Sequence, residues 1–196
     1  MISKSKNALV KTSKVISNIF NPTVSIIVYY IYLCSVKFNL EESIQIMLPL
    51  LLITIFPIMI WIIYNMKKGR YNNMDVSDRK QRVSLYYFIF GVITVYLCFN
   101  YFNSGHLDFS ILFLLILLLL LFFSNFFIKS SMHTALNIYV AALFYTINSQ
   151  IGWIWLALSF IVGITRIIIK RHTIQEVISG SFLAFVVSIL YLYASK

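Results

Sequence analysis

Three polar clusters interrupt an otherwise apolar chain, and they hold the residue types that handle phosphate. The first reads Asp75-Val-Ser-Asp78-Arg79-Lys80-Gln81-Arg82, and the second Lys129-Ser130-Ser131-Met132-His133-Thr134. The third runs from Thr165-Arg166 through Lys170-Arg171-His172-Thr173 to Gln175-Glu176. An arginine fork binds phosphate oxygens through paired, charge-assisted hydrogen bonds. Two histidines can divide the work of a displacement at phosphorus, one as nucleophile and one as general acid. His172 and Glu176 stand four residues apart, so on a helix they share a face. A carboxylate there holds the imidazole in one tautomer and leaves the other ring nitrogen free to attack. Ser131, two residues before His133, can donate to a phosphoryl oxygen.

Each feature also has a plainer reading. A basic loop beside an apolar span orients helices or touches anionic lipid, and that suits Lys67, Lys68 and Arg70. Asp75 and Asp78 are read as capping or ion-pair residues for the neighbouring arginines. His106, in the Ser-Gly-His-Leu-Asp turn, is read as structural. His133 and His172 differ because each sits among matched partners.

The elements that must position these clusters follow from composition. Hydrophobic residues make up 60% of the 196, charged residues 11%, and the mean hydropathy is +0.86. Soluble domains carry about 25% charge, so this is the composition of a bilayer protein. The aromatic content of 17% agrees, since Tyr and Trp collect at membrane interfaces. Cys34 and Cys98 lie inside apolar runs and suggest neither a zinc site nor a disulfide framework. A crossing helix needs about 20 mostly apolar residues. Such runs predict spans at 17–36, 44–66, 84–102, 109–128, 134–148, 151–169 and 177–194. The stretch from Phe109 to Phe127 is the clearest, with no charge at all. Lysines followed by an apolar run resemble a signal peptide, but no small-residue cleavage site follows, so an uncleaved first span is expected. The expected fold is all-α: a polytopic integral membrane helical bundle of six to seven spans. It forms one membrane domain over 1–196, with a basic segment at 1–16.

The net charge of +10 is distributed by topology and does not mark a nucleic-acid binder. With seven spans, Lys4, Lys6, Lys11 and Lys14 share one side with all three clusters and their flanking basic residues. Lys37 and Lys196 fall on the other, with Glu41, Glu42 and Asp108. Positive-inside reasoning puts the basic side in the cytoplasm. The loops after spans two, four and six therefore converge on one membrane face.

The third cluster resembles the third signature of the type-2 phosphatidic acid phosphatase superfamily, Ser-Arg-x5-His-x3-Asp. Here it reads Thr165-Arg166, five residues, His172, three residues, Glu176, and then Val-Ile-Ser-Gly180. Ser130-Ser131-Met132-His133 is similar to the second signature, Pro-Ser-Gly-His. Arg82 stands where the first signature, Lys-x6-Arg-Pro, has its arginine. The likeness covers roughly 75–185 and is nearest to a compact bacterial branch. It implies an enzyme in which His172 attacks phosphorus and becomes phosphohistidine. Glu176 would orient His172, and His133 would protonate the departing lipid oxygen. Arg82 and Arg166 would hold the phosphoryl oxygens with help from Ser131, without metal or other cofactor. The family lysine falls at Asp75, which leaves Lys80 or Arg79 to replace it. Met132 stands for the glycine, Glu176 for the aspartate and Val83 for the proline.

The expected function is therefore a metal-independent lipid phosphatase of the bacterial inner membrane, with its active face in the cytoplasm. Phosphatidate, phosphatidylglycerophosphate and a polyprenyl diphosphate are the substrate candidates. The expected partners are the lipid phosphate and the surrounding lipids, not nucleic acid, and the sequence sets no oligomeric state. The alternative is a catalytically lapsed relative that binds or moves anionic lipid or serves as a membrane subunit. A magnesium-dependent prenyl transferase, prompted by Asp75 and Asp78, lacks a second Asp-rich cluster. A channel or pump lacks a mid-span acid.

Overall fold

The structure, a computed structural model, describes residues 2–195, with side chains from residue 7 onward. Lys196 and the side chains of Lys4 and Lys6, all used in the charge count, lie outside the described residues. Among the described residues every regular element is helical: α1 (Ile2–Ile19), α2 (Pro22–Lys37), α3 (Leu40–Pro49), a π-helical stretch (Leu50–Ile55), α4 (Phe56–Lys67), α5 (Arg79–Ser104), α6 (Phe109–Ser124), α7 (Met132–Tyr145), α8 (Ser149–Ile168) and α9 (Ile174–Ala194).

By length and composition four helices can cross a membrane: Leu40–Lys67, Arg79–Ser104, Ser149–Ile168 and Ile174–Ala194. A fifth is added if α1 from Asn7 and α2, bent by 49°, count as one span. No more than 33% of the residues in any of the four apolar windows are buried. Apolar helices with open flanks are what a lipid environment selects. The seven spans expected from sequence are not matched one for one. At 16 and 14 residues, α6 and α7 fall short of the span length, and the first expected span begins inside α1.

Local chemistry sets the helix boundaries. Asn39 with Glu42, and Thr173 with Glu176, form capping boxes at the starts of α3 and α9. Asp78, Ser131 and Asn148 accept from backbone amides at the starts of α5, α7 and α8. For Asp78 this is the capping role expected from sequence. The π-helical stretch lies between Pro49 and Pro57. Proline removes a donor and its ring clashes with the carbonyl four residues back, so the wider turn relieves that crowding. Within it the Thr54 hydroxyl donates to the Leu50 carbonyl.

The chain divides into two compact units, Met1–Tyr29 with Phe123–Lys196, and Tyr30–Phe122. The first is built around α7, whose residues are buried at every position from His133 to Phe144. It packs against α8 and α9, and α1 packs against α8. Close approach needs glycine: a Cβ at Gly152 would fall 2.7 Å from the Tyr145 Cα. Asn137 ties the unit together from mid-helix. Its amide nitrogen donates to the carbonyls of Phe20 at 2.9 Å and His133 at 2.8 Å, and its Oδ1 accepts from Ser25 Oγ at 2.8 Å. In the second unit Trp61 stacks on Phe88 at 4.3 Å and donates to the Tyr71 hydroxyl at 3.1 Å. Tyr30 and Tyr96 donate to Asp108, whose other carboxylate oxygen accepts from the Ser110 and Ile111 amides at the start of α6.

Candidate functional site

The end of α8 and the start of α9 build a short polar turn. Lys170 adopts a left-handed backbone, φ +58, which reverses the chain. The amides of Arg171 and His172 then both donate to the Arg166 carbonyl, at 3.0 and 3.2 Å. This is how a helix C-terminus satisfies its last carbonyls. His172 is thereby fixed one residue before Thr173, the N-cap of α9. Glu176 Oε2 accepts from the Thr173 amide at 3.2 Å and lies 2.8 Å from His172 Nδ1. One carboxylate oxygen thus closes the helix cap and holds the imidazole. An ionised carboxylate is an acceptor, so this contact selects the Nδ1–H tautomer and leaves the lone pair on Nε2. The His172 side chain is 0% exposed.

An open cavity of about 330 Å³ lies over this turn, lined by Lys129, Ile167, Lys170, Arg171, His172, Thr173 and Glu176. Three of those residues are cations. Lys129 comes from the loop between α6 and α7. Its ammonium donates to the Arg171 carbonyl at 3.3 Å and lies 3.8 Å from Glu176 Oε2. Cluster two is further joined to cluster three and to the helix that follows it. The Ser131 amide donates to the Glu176 carbonyl at 2.9 Å, and Ser130 Oγ pairs with Ser179 Oγ at 2.8 Å.

The other expected site residues of this unit are buried. Ser131 is fully buried, its hydroxyl capping α7 and 3.0 Å from Thr134 Oγ1. His133 is buried in the first turn of α7, and Arg166 is 1% exposed with Nη1 donating to Ser17 Oγ at 2.9 Å. None of the three lines the cavity. The structure therefore joins His172 with Glu176 at the cavity and carries Ser131, His133 and Arg166 within the same packed unit.

Arg79, Lys80 and Arg82 belong to the second unit. Arg79 and Lys80 are exposed in the first turn of α5. Arg82 is buried, and its Nε donates to the Val76 carbonyl at 3.1 Å. Val76 itself has φ +44, an unusual conformation for a β-branched residue. It turns that carbonyl onto the guanidinium.

Lys129, Lys170 and Arg171 are the cavity cations that the expected site left out. Their signal was adjacency: each lies inside a polar cluster, but a cation beside a span also reads as a topology marker. Among the described residues no three His, Cys, Asp or Glu side chains gather as a metal site requires. No family model, curated protein or solved structure matches this chain.

Proposed function

We propose that the chain is a membrane-embedded phosphatase that hydrolyses a lipid phosphomonoester or diphosphate through a phosphohistidine at His172. The observation that carries this reading is the His172–Glu176 pair in the wall of a cation-lined cavity. Nε2 attacks phosphorus while Nδ1–H stays on the carboxylate, which stabilises the positive charge growing on the ring. The N–P bond forms as the P–O bond to the lipid breaks, and the departing oxygen takes a proton, the role that the resemblance implies for His133. Water then gives a proton to His133 and attacks the phosphohistidine, breaking the N–P bond, releasing inorganic phosphate and restoring both imidazoles. Lys170 and Arg171 neutralise the phosphoryl oxygens from the wall. Arg166 and Ser131 are the further phosphate contacts that the resemblance to type-2 phosphatidic acid phosphatases implies within this unit.

In this reading the chain crosses a bacterial inner membrane seven times, with α6 and α7 as short spans. The cavity then faces the cytoplasm, as the basic loops favour. A membrane-impermeant thiol reagent should reach a cysteine placed at Lys170 from the cytoplasmic side and one placed at Gly105 from the other. Labelling of both from the same side would end the seven-span topology.

Phosphate release by purified protein in detergent with EDTA tests the chemistry. Phosphatidate, phosphatidylglycerophosphate and undecaprenyl diphosphate are the substrates, with His172→Ala alongside. Release that disappears in the variant is expected; turnover unchanged in His172→Ala would refute the proposal.

A second reading is favoured by one observation: Arg166 and Ser131 are engaged with Ser17 and Thr134 and do not line the cavity. A lapsed relative that binds anionic lipid at the same cations fits that arrangement. Binding to anionic vesicles that survives both His133→Ala and His172→Ala, with no phosphate released from any lipid, would decide for it.

A further inference from the structure

Helix α1 is packed the opposite way round from a helix in water. Ser13 and Ser17, one turn apart, are 3% and 2% exposed, and Ser17 accepts from Arg166 of α8. That contact fixes the roll of α1, and small side chains on this side allow close approach. Its large apolar residues point away: Leu9, Val15 and Ile19 are 54%, 51% and 56% exposed. At 3.6 residues per turn these three and the half-buried Ile16 fall within an arc of about 120°. Thr12 is the exposed polar residue of that arc. Lys11 and Lys14, both exposed, lie with Asn7 and Asn18 on the adjoining arc, about 60° wide. No acid occurs anywhere in Ile2–Ile19, so the helix itself does not neutralise them.

Water leaves such an apolar arc uncovered, and a wholly apolar surround strands the lysines. The boundary between lipid headgroups and acyl chains suits both, because a lysine stem lies along apolar surface while its ammonium reaches outward. The helix also turns by 49° from the line of α2, as it does if it enters this layer obliquely instead of extending a span. A second copy of the chain is a poorer match for this face, since each copy carries 16 basic and 6 acidic residues and repels the next. We infer that α1 docks onto an anionic lipid leaflet, with Leu9, Val15 and Ile19 among the upper acyl chains and Lys11 and Lys14 at the anionic headgroups. None of these residues lines the cavity beside His172, and the inference holds whether or not that cavity cleaves phosphate.

Spin labels on single cysteines of the full-length chain, with Cys34 and Cys98 replaced by alanine, test this in lipid nanodiscs. Val15→Cys, Ile19→Cys and Asn18→Cys are compared in discs of phosphatidylcholine alone and of phosphatidylcholine with phosphatidylglycerol. Collisions with oxygen, which collects among acyl chains, and with a water-soluble nickel chelate report the surroundings of each label. With phosphatidylglycerol present, the Val15 and Ile19 labels should collide mainly with oxygen and the Asn18 label with nickel. In phosphatidylcholine alone the Val15 label should shift toward nickel. Each lysine at an anionic surface strengthens binding about fivefold, so adding Lys11→Gln and Lys14→Gln together should abolish the difference between the two discs. Lys37→Gln, at the far end of α2, should leave it intact. A Val15 label as open to nickel as the Asn18 label in anionic discs overturns the inference. So does an oxygen signal at Val15 that is the same in both discs, or a difference that survives the loss of both lysines. A Val15 label closed to both reagents, with spin–spin broadening between labels, overturns it too and assigns the face to a second copy.

Discussion

The backbone amide of Ser131 donates to the carbonyl of Glu176 at 2.9 Å, joining the loop before α7 to the first turn of α9. Nothing larger than hydrogen fits beside this strut. A Cβ at Gly180 would lie 2.8 Å from the Ser131 carbonyl oxygen and 3.0 Å from its nitrogen. Gly180→Ala is therefore expected to force the two elements apart at a cost of about 1–3 kcal/mol, as overpacking does. Thermal unfolding in detergent should show the loss. Turnover should fall with it, because the same strut sets Glu176.

Glu176 has two jobs that substitution can separate. Gln keeps the N3 side of a capping box, so Glu176→Gln should leave stability within about 0.5 kcal/mol of wild type. It removes the negative charge beside His172, and turnover should drop by about 10² or more. Glu176→Ala should lose the cap as well, at about 1 kcal/mol. Unfolding midpoints and phosphate release for the pair give both numbers. Equal turnover in Glu176→Gln and wild type would remove the carboxylate from the mechanism.

Lys170 sets stability against charge. Its left-handed backbone strains a residue with a side chain, and glycine adopts that conformation freely. Lys170→Gly should therefore raise stability by about 0.5–1 kcal/mol. The same change takes one cation from the cavity wall, so the apparent affinity for a lipid phosphate should weaken. A melt that moves up while KM rises is the expected signature.

Ser17 lies far from the third cluster in sequence but touches Arg166 through Nη1 at 2.9 Å, with both residues buried. Removing an acceptor from a buried guanidinium costs about 1–3 kcal/mol. Ser17→Ala should lower the melting temperature, and Ser17→Thr should recover part of it by keeping a hydroxyl. Turnover should follow stability in this series, since the Arg166 carbonyl also holds the turn that carries His172.

Long apolar stretches made α5, α8 and α9 legible in the sequence, with ends moved by a few residues where Asp78, Asn148 and Thr173 cap earlier than the apolar run begins. The pairing of His172 with Glu176 was legible too, although not as a shared helix face: His172 precedes the N-cap Thr173, and Glu176 reaches back to it from the first turn of α9. Other features were hidden for physical reasons. Lysines disguise α1, whose helix begins well before the apolar window and breaks ahead of Pro22. The π-helical stretch depends on two prolines acting on one backbone, which a composition window averages away. The contact of Arg166 with Ser17 was hidden because it depends on how α1 lies along α8. Lys129 stood in the second polar cluster without an assigned role. Only the meeting of the α6–α7 loop with the start of α9 makes it a partner of Glu176.

The burial of α7 from His133 to Phe144 bears on how the protein is made. A segment that carries His133, Thr134 and Asn137 gains little from entering lipid alone, since polar groups there cost free energy unless partnered. Asn137 finds its partners at Phe20 and at Ser25 near the start of α2, and the packing around α7 comes from α8 and α9. These last two leave the ribosome after α7. Its stable seating is thus an assembly step that waits for the carboxy-terminal hairpin. Chains truncated before α9 should accordingly be recognised by membrane quality control as unfinished.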